Sequence, residues 1–586
     1  KTMKLLLLRR RLMLTLVSAV FVFFSAEAAD PGDFSGPSLT GSGGPQLAVK
    51  TPSKLSYPVQ QEVRRAQGVG TRTTLTTLSA DDAGAKSAVE IELVFHAAGP
   101  TGPAQEKDLQ ALGARIVQVL KVPDKLEMAP VGMIRAYVPV SAVEEAAALP
   151  WVVAVTEPDD GFTNPHPNNA IDSEGVPLHN ADDAHDLGVI GTGVSVGAIS
   201  DGVANLAASQ ARNELPAVNV IAVGSGDEGT AMLEHIHDMA PGATLLFHTT
   251  GSGTAGHVTA VNNLVAAGAN VISEDLAYDR EPAFQQGVVA AAREAAALAG
   301  VPVHSSSGNR GSNHAARVPA TGTGAGPDGF TGTFTGCTID PTNTVVIAPG
   351  GDTTFDLTTG GNTRITLQWS EPRAIFPTAG AGGFTDLDLY VMDATGTQCL
   401  AESTDGQGFG LGDTIETIST STAGIPSGTA VKLVVNLFGS FGAVTAPTLD
   451  LRWRGSMSQQ DTPTRAGSND PDKNYTGLAY VIGAVNAGSG NLEGFSSAGP
   501  VDLTLTTVCP GGAYPCPAGV AGTSPTFQGM DFLGADGTSI SGVGGFGSGT
   551  CPANTQGDCR FFGTSAAAPH TAGCDALVRS LPSFGA

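Results

Sequence analysis

The chain has 586 residues, which is enough for several domains. It carries 55 acidic and 30 basic residues, a formal net charge of −25, although only 15% of its residues are charged. A surface of this sign repels phosphate groups, so the composition argues against a nucleic acid or an anionic membrane as the partner.

The first 28 residues have the composition of a secretory signal peptide. A basic start is followed by an apolar run to Phe24, and residues 26–28 read Ala-Glu-Ala, with small residues at the positions where signal peptides are cut. We therefore expect cleavage after Ala28 and a mature chain secreted to the extracellular space or the periplasm. No later apolar run is long enough to span a bilayer, so we expect no membrane contact after cleavage.

A small domain is predicted at 87–160, after a Gly-, Ser- and Thr-rich stretch at 29–86 that predicts a weakly ordered linker. Apolar β-rich segments alternate with helical ones in the order β-α-β-α-β. The first helical segment lies within 109–119, because its apolar residues would share one helical face. This order predicts an α+β domain.

An α/β domain is predicted in two halves, 161–319 and 459–586. Both halves alternate apolar strands with Ala-rich helices, the pattern of a parallel sheet covered by helices. Between them, residues 320–458 become Thr-, Gly- and Asp-rich with short alternating strands, which is typical of a β-sandwich. Asp386 and Asp388 would share the outer face of one of these strands, where we expect them to contact water rather than to bind a cation.

The cysteines suggest disulfides rather than a metal site. Three candidate pairs would close loops: Cys509–Cys516, Cys551–Cys559 and Cys337–Cys399. Such bridges stabilise proteins outside the cell, whereas zinc sites favour shorter spacings with accompanying histidines. The remaining Cys574 is expected to be a buried, inert thiol. We predict no cofactor and no metal at the functional site.

The most informative motif lies near the end of the chain. Residues 562–573 read Phe-Gly-Thr-Ser-Ala-Ala-Ala-Pro-His-Thr-Ala-Gly, which places Ser565 between a glycine turn and the first turn of an apolar helix. The N–H groups and the dipole of a helix N-terminus favour an oxyanion there. A Ser-rich turn entering a buried helix is the structural alternative. The string resembles the nucleophile motif of subtilisin-like serine proteases, with Ala566 where methionine usually stands, and this resemblance implies that Ser565 is a nucleophile.

The same family has a catalytic aspartate at the end of its first core strand, and Asp201 matches it after the apolar segment 194–200. The family's histidine begins a helix as His-Gly-Thr, and here Glu228 precedes the Gly-Thr. Such a glutamate means either an inactive site or a carboxylate base. The sedolisins, which resemble subtilisins, use Ser, Glu and Asp in acid, but their aspartate lies one turn beyond the glutamate, where this chain has Met232.

A carboxylate partner for Glu228 must therefore come from elsewhere. Two carboxylates within hydrogen-bonding distance can share one proton and act as a base in acid. Asp201 is one candidate, and Asp275 is a second, because it ends a strand that aligns with the substrate-binding strand of subtilisins. We predict a cluster of Asp201, Glu228 and Asp275. The alternative is that Glu274 and Asp275 face solvent at the strand edge.

Two histidines on the same predicted helix are rival bases. His235 and His237 lie seven and nine residues beyond Glu228, two turns or more from the helix start. We interpret them as helix-end or surface residues.

An oxyanion donor is predicted at Asn309. The segment 300–309 ends in Ser-Gly-Asn and resembles the subtilisin strand whose asparagine amide faces the developing negative charge. A loop asparagine after glycine is the alternative.

The resemblance implies the organisation of the whole chain: a subtilisin-like α/β catalytic domain, preceded by an α+β prodomain at 87–160 and interrupted by an inserted β-sandwich. An ordinary accessory domain is the alternative for 87–160. We interpret the chain as the zymogen of a secreted serine endopeptidase, inhibited by its own prodomain, that cleaves proteins or peptides through an acyl-enzyme on Ser565. Glu228 is the expected base, active in acid. The alternative is a catalytically silent secreted pseudo-protease that acts as a binding protein.

Overall fold

The computed structural model describes most of residues 90–121, 132–158, 174–315, 335–459, 478–497 and 530–581, together with a few residues between 54 and 63. The predicted signal peptide and the predicted Cys509–Cys516 disulfide lie outside the described residues. Within the described ranges, no helix is long and apolar enough to cross a membrane.

The first described domain is a four-stranded antiparallel sheet with two helices, in the strand order β2-β3-β1-β4. Its elements are β1 (Glu90–Ala97), α1 (Pro103–Ala111), β2 (Arg115–Lys121), β3 (Gly132–Pro139), α2 (Val143–Ala148) and β4 (Val152–Thr156). Three apolar residues from the stretch predicted as a linker, Leu55, Val59 and Val63, are buried in the core of this domain.

The predicted helix within 109–119 is wrong, because α1 ends early and the rest of that segment is strand β2. Gly113 has φ +87°, a left-handed conformation that commonly follows the end of a helix. The β-branched residues beyond it favour a strand, and β2 pairs with β3 from Arg115 onward. The observed order is therefore β-α-β-β-α-β.

The first half of the α/β domain follows. Its elements are α3 (Gly175–Leu178), α4 (Ala181–Asp186), β5 (Ser195–Ser200), α5 (Leu206–Ala211), β6 (Val218–Ala222), α6 (Glu228–Met239), β7 (Thr244–Thr249), α7 (Gly253–Ala266), β8 (Val271–Glu274), α8 (Val288–Leu298) and β9 (Val303–Ser306).

The inserted segment forms two antiparallel sheets, in the orders β10-β17-β12-β15 and β14-β13-β16-β11-β18. Its strands are β10 (His314–Ala315), β11 (Thr354–Thr358), β12 (Arg364–Trp369), β13 (Thr385–Asp393), β14 (Cys399–Ser403), β15 (Ile415–Ser419), β16 (Ala430–Ser440), β17 (Leu449–Arg454) and β18 (Ser458–Gln459). Both sheets contribute to one apolar core that contains Trp369 and Trp453. The predicted β-sandwich is confirmed.

Asp386 and Asp388 are both buried, so the expectation that they face water is wrong. The outer face of β13 is covered, because Ile339 packs on Tyr390 and Met392 of that strand. The Tyr390 hydroxyl donates a hydrogen bond to the Asp388 carboxylate at 3.0 Å.

The chain then returns to the α/β domain. The elements of this second half are β19 (Tyr480–Asn486), β20 (Phe532–Asp536), β21 (Thr538–Ser539), β22 (Ser548–Gly549), β23 (Cys559–Phe561) and α9 (Thr564–Arg579). Strands from both halves form one seven-stranded sheet in the order β20-β19-β9-β8-β5-β7-β6, and every pairing in it is parallel. The predicted α/β class with a large parallel sheet is confirmed.

Two predicted disulfides are confirmed. Cys337 is bonded to Cys399 in the insertion, and Cys551 is bonded to Cys559 just before α9. Cys574 is a free, buried thiol on α9, as expected, and its burial raises the pKa of the thiol to about 12.

Candidate active site

Ser565 is the second residue of α9 and is completely buried. The turn before it contains Gly563, whose φ of +113° lies in a region that disfavours other residues. Thr564 is held by the loop after β9: its hydroxyl accepts the N–H of Gly308 at 3.1 Å. Ser565 therefore lies at the start of a helix that is anchored to the loop after β9.

Asn309 lies beside this helix start with its side-chain amide in a fixed orientation. Its Oδ1 accepts the backbone N–H of Thr564 at 2.9 Å and the Thr564 hydroxyl at 3.0 Å. Two donors at one atom identify that atom as the oxygen, so the opposite atom is the NH₂ group. This Nδ2 is buried and has no hydrogen-bond partner among the described residues. A buried, unused donor next to Ser565 is what an oxyanion requires.

Glu228 and Asp275 form a buried carboxyl pair. Glu228, the first residue of α6, is 1% exposed, and Asp275, directly after β8, is 0% exposed. Their side chains are hydrogen-bonded to each other. The Ser200 hydroxyl donates to Asp275 Oδ2 at 3.0 Å. This contact follows from the sheet, because β5 and β8 are parallel neighbours with Ile199 opposite Glu274, so the next residues of each strand also meet.

Burial raises the pKa of Asp275 well above its ordinary value, and the nearby charge of Glu228 raises it further. Removing a carboxylate from water disfavours its charged form, and a second carboxylate at hydrogen-bonding distance adds repulsion. The pair therefore retains one proton at a pH where isolated carboxyl groups are ionised. Asp275 can hold that proton while Glu228 remains free to accept another.

Asp201 contacts the backbone at the start of α6. Its Oδ1 accepts the N–H of Glu228 at 3.1 Å. Burial raises the pKa of Asp201, while hydrogen bonds from the N–H groups of Gly229, Glu228 and Gly202 oppose that shift. The charge of Asp201 also contributes to the raised pKa of Asp275. The structure thus brings the three predicted carboxyl groups together, with Asp275 as the side-chain partner of Glu228 and Asp201 as the acceptor at the helix N-terminus.

The solvent-exposed alternative for Glu274 and Asp275 is wrong, since both are 0% exposed. Glu274 forms an ion pair with Arg293 of α8, with 2.9 Å between Arg293 Nη2 and Glu274 Oε1. The chain therefore compensates the charge of Glu274 with a buried cation, whereas the next carboxyl group is paired with another carboxyl group.

Helices α6 and α9 run side by side in the same direction. A Cβ on Gly573 would meet the side chain of Met239, and the rings of His235 and His570 lie 4.3 Å apart. From His235, α6 runs back two turns, about 10 Å, to its start at Glu228. From His570, α9 runs back one and a half turns, about 8 Å, to Ser565 beside its start. Both N-termini therefore lie at the same end of this helix pair.

His235 is completely buried, so its interpretation as a surface or helix-end residue is wrong. The face of α6 that carries it is covered by α9 and by β23, where Phe561 stacks on its ring at 5.4 Å. Its Nε2 is 2.9 Å from the Thr538 hydroxyl. Burial lowers the pKa of His235 to about 4, which makes it a neutral core residue two turns away from Glu228.

Sequence reasoning missed two supporting residues, Ser200 and Thr564. Each is the immediate neighbour of a residue that the motifs did identify: Ser200 precedes Asp201, and Thr564 precedes Ser565. Their contacts, with Asp275 and Asn309, cross between segments that are far apart in the chain. The sequence feature that could have indicated these two supporting residues is a small hydroxyl side chain directly before a predicted site residue.

Comparison with known proteins gives a family match and weak structural likenesses. The model of the subtilase family of peptidases matches residues 203–584, more than half of the chain. Similar solved structures include the CspB protease of Clostridium perfringens, with 11% identity, 68% of this chain and 86% of that chain covered, and a TM-score of 0.34. The epidermin leader peptide processing serine protease of Staphylococcus aureus has 10% identity, 84% and 89% coverage and a TM-score of 0.37. MycP1 from Mycobacterium smegmatis has 14% identity, 72% and 78% coverage and a TM-score of 0.26. No curated protein matches the chain.

Proposed function

This chain belongs to the subtilase family and is a serine-type peptidase, and from that premise we propose that it is a secreted endopeptidase in which Glu228, not a histidine, is the general base. The observation that carries the proposal is the buried hydrogen bond between Glu228 and Asp275 at the N-terminus of α6. It supplies what an isolated glutamate lacks, a partner that holds one proton in place while Glu228 accepts another.

The first half of the reaction forms an acyl-enzyme. Ser565 Oγ attacks the carbonyl carbon of the peptide bond, and its proton moves to the Glu228 carboxylate. The oxygen of the tetrahedral intermediate becomes negative and is bound by the Asn309 Nδ2–H and the Ser565 backbone N–H. When the intermediate collapses, the C–N bond breaks and Glu228 returns its proton to the leaving amine.

The second half uses the same groups with water. Glu228 takes a proton from the water molecule that attacks the acyl carbon, and the C–O bond to Ser565 then breaks as the proton returns to Ser565 Oγ. Asp275 keeps its own proton throughout and donates it in the hydrogen bond to Glu228. Asp201 holds the start of α6, and with it Glu228, in place through the contact at 3.1 Å.

We also propose that residues 87–160 are an inhibitory prodomain. Leu120 of β2 and Met133 of β3 are buried in the same apolar cluster as α7 and α8 of the catalytic domain. Glu157, just beyond β4, forms an ion pair with Arg280 of the catalytic domain. The signal-like N-terminus and the disulfides support secretion.

Substitution of Glu228 tests this function. Glu228→Gln keeps the size of the side chain but removes the basic oxygen, so cleavage of a mixed peptide library in acid should fall by orders of magnitude, as with Ser565→Ala. Glu234→Gln is the matched control, because Glu234 is a buried glutamate on the same helix that accepts hydrogen bonds from Ser209 and Ser541. We expect the control to retain activity.

Two outcomes would contradict the proposal. Equal, nonzero rates for the wild type and Glu228→Gln would show that another residue is the base. No cleavage by the processed wild type at any acidic or neutral pH would favour a binding protein that has lost its catalytic activity.

A further inference from the structure

A second carboxyl pair, Asp536 and Glu493, lies at the Gly563 turn that precedes Ser565. Asp536, the last residue of β20, is completely buried, and its Oδ1 accepts a hydrogen bond from the backbone N–H of Gly563. Its side chain is also hydrogen-bonded to Glu493. Glu493 in turn accepts the Asn486 Nδ2–H at 2.8 Å, which ties the pair to the end of β19.

The contact with Gly563 is at the point that determines where α9 begins. Gly563 is the N-cap of that helix, and its carbonyl accepts the N–H groups of Ala566 at 3.0 Å and Ala567 at 3.3 Å. Ser565 lies between these bonded residues. The start of α9 is thus held at two successive residues, Gly563 by Asp536 and Thr564 by Asn309.

The surroundings of Asp536 keep its carboxyl group protonated. Burial raises the pKa of Asp536, and the charge of Glu493 raises it further, while the N–H groups of Gly563 and Gly537 act in the opposite direction. A second titratable group, His179, contacts the preceding residue of β20. Its Nε2 accepts the Ala535 N–H at 3.1 Å. Burial lowers the pKa of His179 to about 4, so this ring brings no positive charge to the pair above that pH.

We propose that Asp536, paired with Glu493, is a positioning residue for the peptidase reaction: it fixes the Gly563 turn and thereby the direction in which Ser565 faces the substrate carbonyl. This inference rests on the proposed function of Ser565. While the pair shares one proton, a single negative charge lies between two hydrogen-bonded carboxyl groups. When both groups ionise, their repulsion separates them and loosens the turn.

Kinetic constants test the positioning role. Asp536→Ala should lower kcat about 10- to 100-fold with KM within about 2-fold, because a displaced nucleophile impairs attack and leaves substrate binding intact. Asp536→Asn retains an acceptor for the Gly563 N–H and a donor to Glu493, so it should restore kcat to within a few-fold of the wild type. The control is Asp531→Ala, immediately before the same strand, where the carboxylate accepts the Val481 N–H at 2.9 Å. A kcat for Asp536→Ala equal to that of the control would overturn the proposal.

Amide hydrogen exchange tests the turn without relying on activity. In the Ser565→Ala background, the peptide that contains residues 562–566 should lose protection in Asp536→Ala and keep it in Asp536→Asn. As pH rises, protection corrected for intrinsic exchange should fall in the parent protein but persist in Glu493→Gln, where only one carboxylate remains. If Asp536→Ala does not fold, Glu493→Gln carries the test alone.

The failures of the two proposals can be told apart. Unchanged protection in every variant at every pH would refute the role of Asp536 even in an active peptidase. Altered protection together with an inactive wild type would retain the structural part of the inference and refute the proposed function.

Discussion

Glu228 occupies an environment that can make a glutamate useful as a base. A carboxylate of ordinary pKa accepts a serine proton poorly at neutral pH. Here it begins a helix, lies 1% exposed, and is hydrogen-bonded to a second buried carboxyl group. The helix dipole and the Asp275 proton both stabilise the ionised form of Glu228. In the proposed reaction, Asp275 therefore holds one proton while Glu228 accepts another.

The pH profile should follow the titration of this pair. Burial and the nearby charge of Glu228 raise the pKa of Asp275 well above its ordinary value, so Asp275 keeps its proton at pH values where an isolated carboxyl group is ionised and loses it only at a higher pH. Above that point both carboxylates are charged, they repel each other, and cleavage should decline. At the acid end, protonation of Glu228 removes the base. We therefore expect a bell-shaped dependence of kcat/KM on pH with its maximum in acid.

Asp275→Asn should move the upper side of this bell. The amide cannot ionise, but its NH₂ group can donate a hydrogen bond to Glu228. Its oxygen can accept the hydrogen bond that the Ser200 hydroxyl donates to Asp275 at 3.0 Å in the wild type. Activity of the processed variant should therefore extend to higher pH than that of the wild type, although its maximum rate falls. The measurement is kcat/KM for one peptide from acid to neutral pH. Superimposable upper limbs would mean that Asp275 does not control the decline.

At the level of helices and strands, local strings located the elements beside which the predicted site residues lie. Ser565 lies in the first turn of α9, Asp201 directly follows β5, and Asn309 lies in the loop after β9. Contacts between distant segments were harder to predict. Asp275 meets Ser200, for example, only because β5 pairs with β8. The burial of individual side chains was also not predictable. Asp386 lies on an alternating strand and His235 on a helix, and neither sequence pattern shows which other elements cover those faces.

Three buried histidines join α9 to its neighbours in a column of rings. His235 and His570 lie 4.3 Å apart, and His179 stacks on His570 at 6.0 Å. His570 Nδ1 is 2.7 Å from the Ala566 carbonyl oxygen, which keeps its ring against its own helix. Burial lowers the pKa of His570 well below its usual range, so all three rings are neutral near pH 7. The helix that carries Ser565 thus packs on groups that resist protonation.

Because these buried rings resist protonation, they should lower the free energy of unfolding in acid. In the unfolded chain a histidine takes up a proton below pH 6.5, whereas folded His235 does so only near pH 4. The folded state therefore loses stability as pH falls between those values, by roughly 3 kcal/mol for this residue. In the Ser565→Ala background, His235→Phe should show a shallower decrease in the free energy of unfolding over that range. Urea unfolding at several pH values measures it, and parallel curves for the two proteins would contradict the prediction.

In the whole molecule, the prodomain-like sheet, the catalytic domain and the insertion meet at the segment that follows β8. Gln368 of the insertion donates to the Glu281 carbonyl at 2.9 Å and accepts the Ala283 N–H at 2.9 Å. Arg373 donates to the Arg280 carbonyl at 2.9 Å. On the N-terminal side, Glu157 pairs with the Arg280 side chain. The β-sandwich is therefore built into the catalytic domain and shares a junction with the domain that we propose is removed.

Maturation should begin with cleavage after this junction. If residues 87–160 are an inhibitory prodomain, the purified precursor should, on incubation in acid, release a mature form that begins near Gly161, and intact-mass and N-terminal analysis would identify it. Ser565→Ala should remain unprocessed, because the same nucleophile performs the cut. Mixing a trace of the active wild type with the Ser565→Ala precursor separates cleavage within one chain from cleavage between chains. A precursor that stays intact and yet cleaves peptides at the full rate would show that the N-terminal domain is an accessory domain and not an inhibitor.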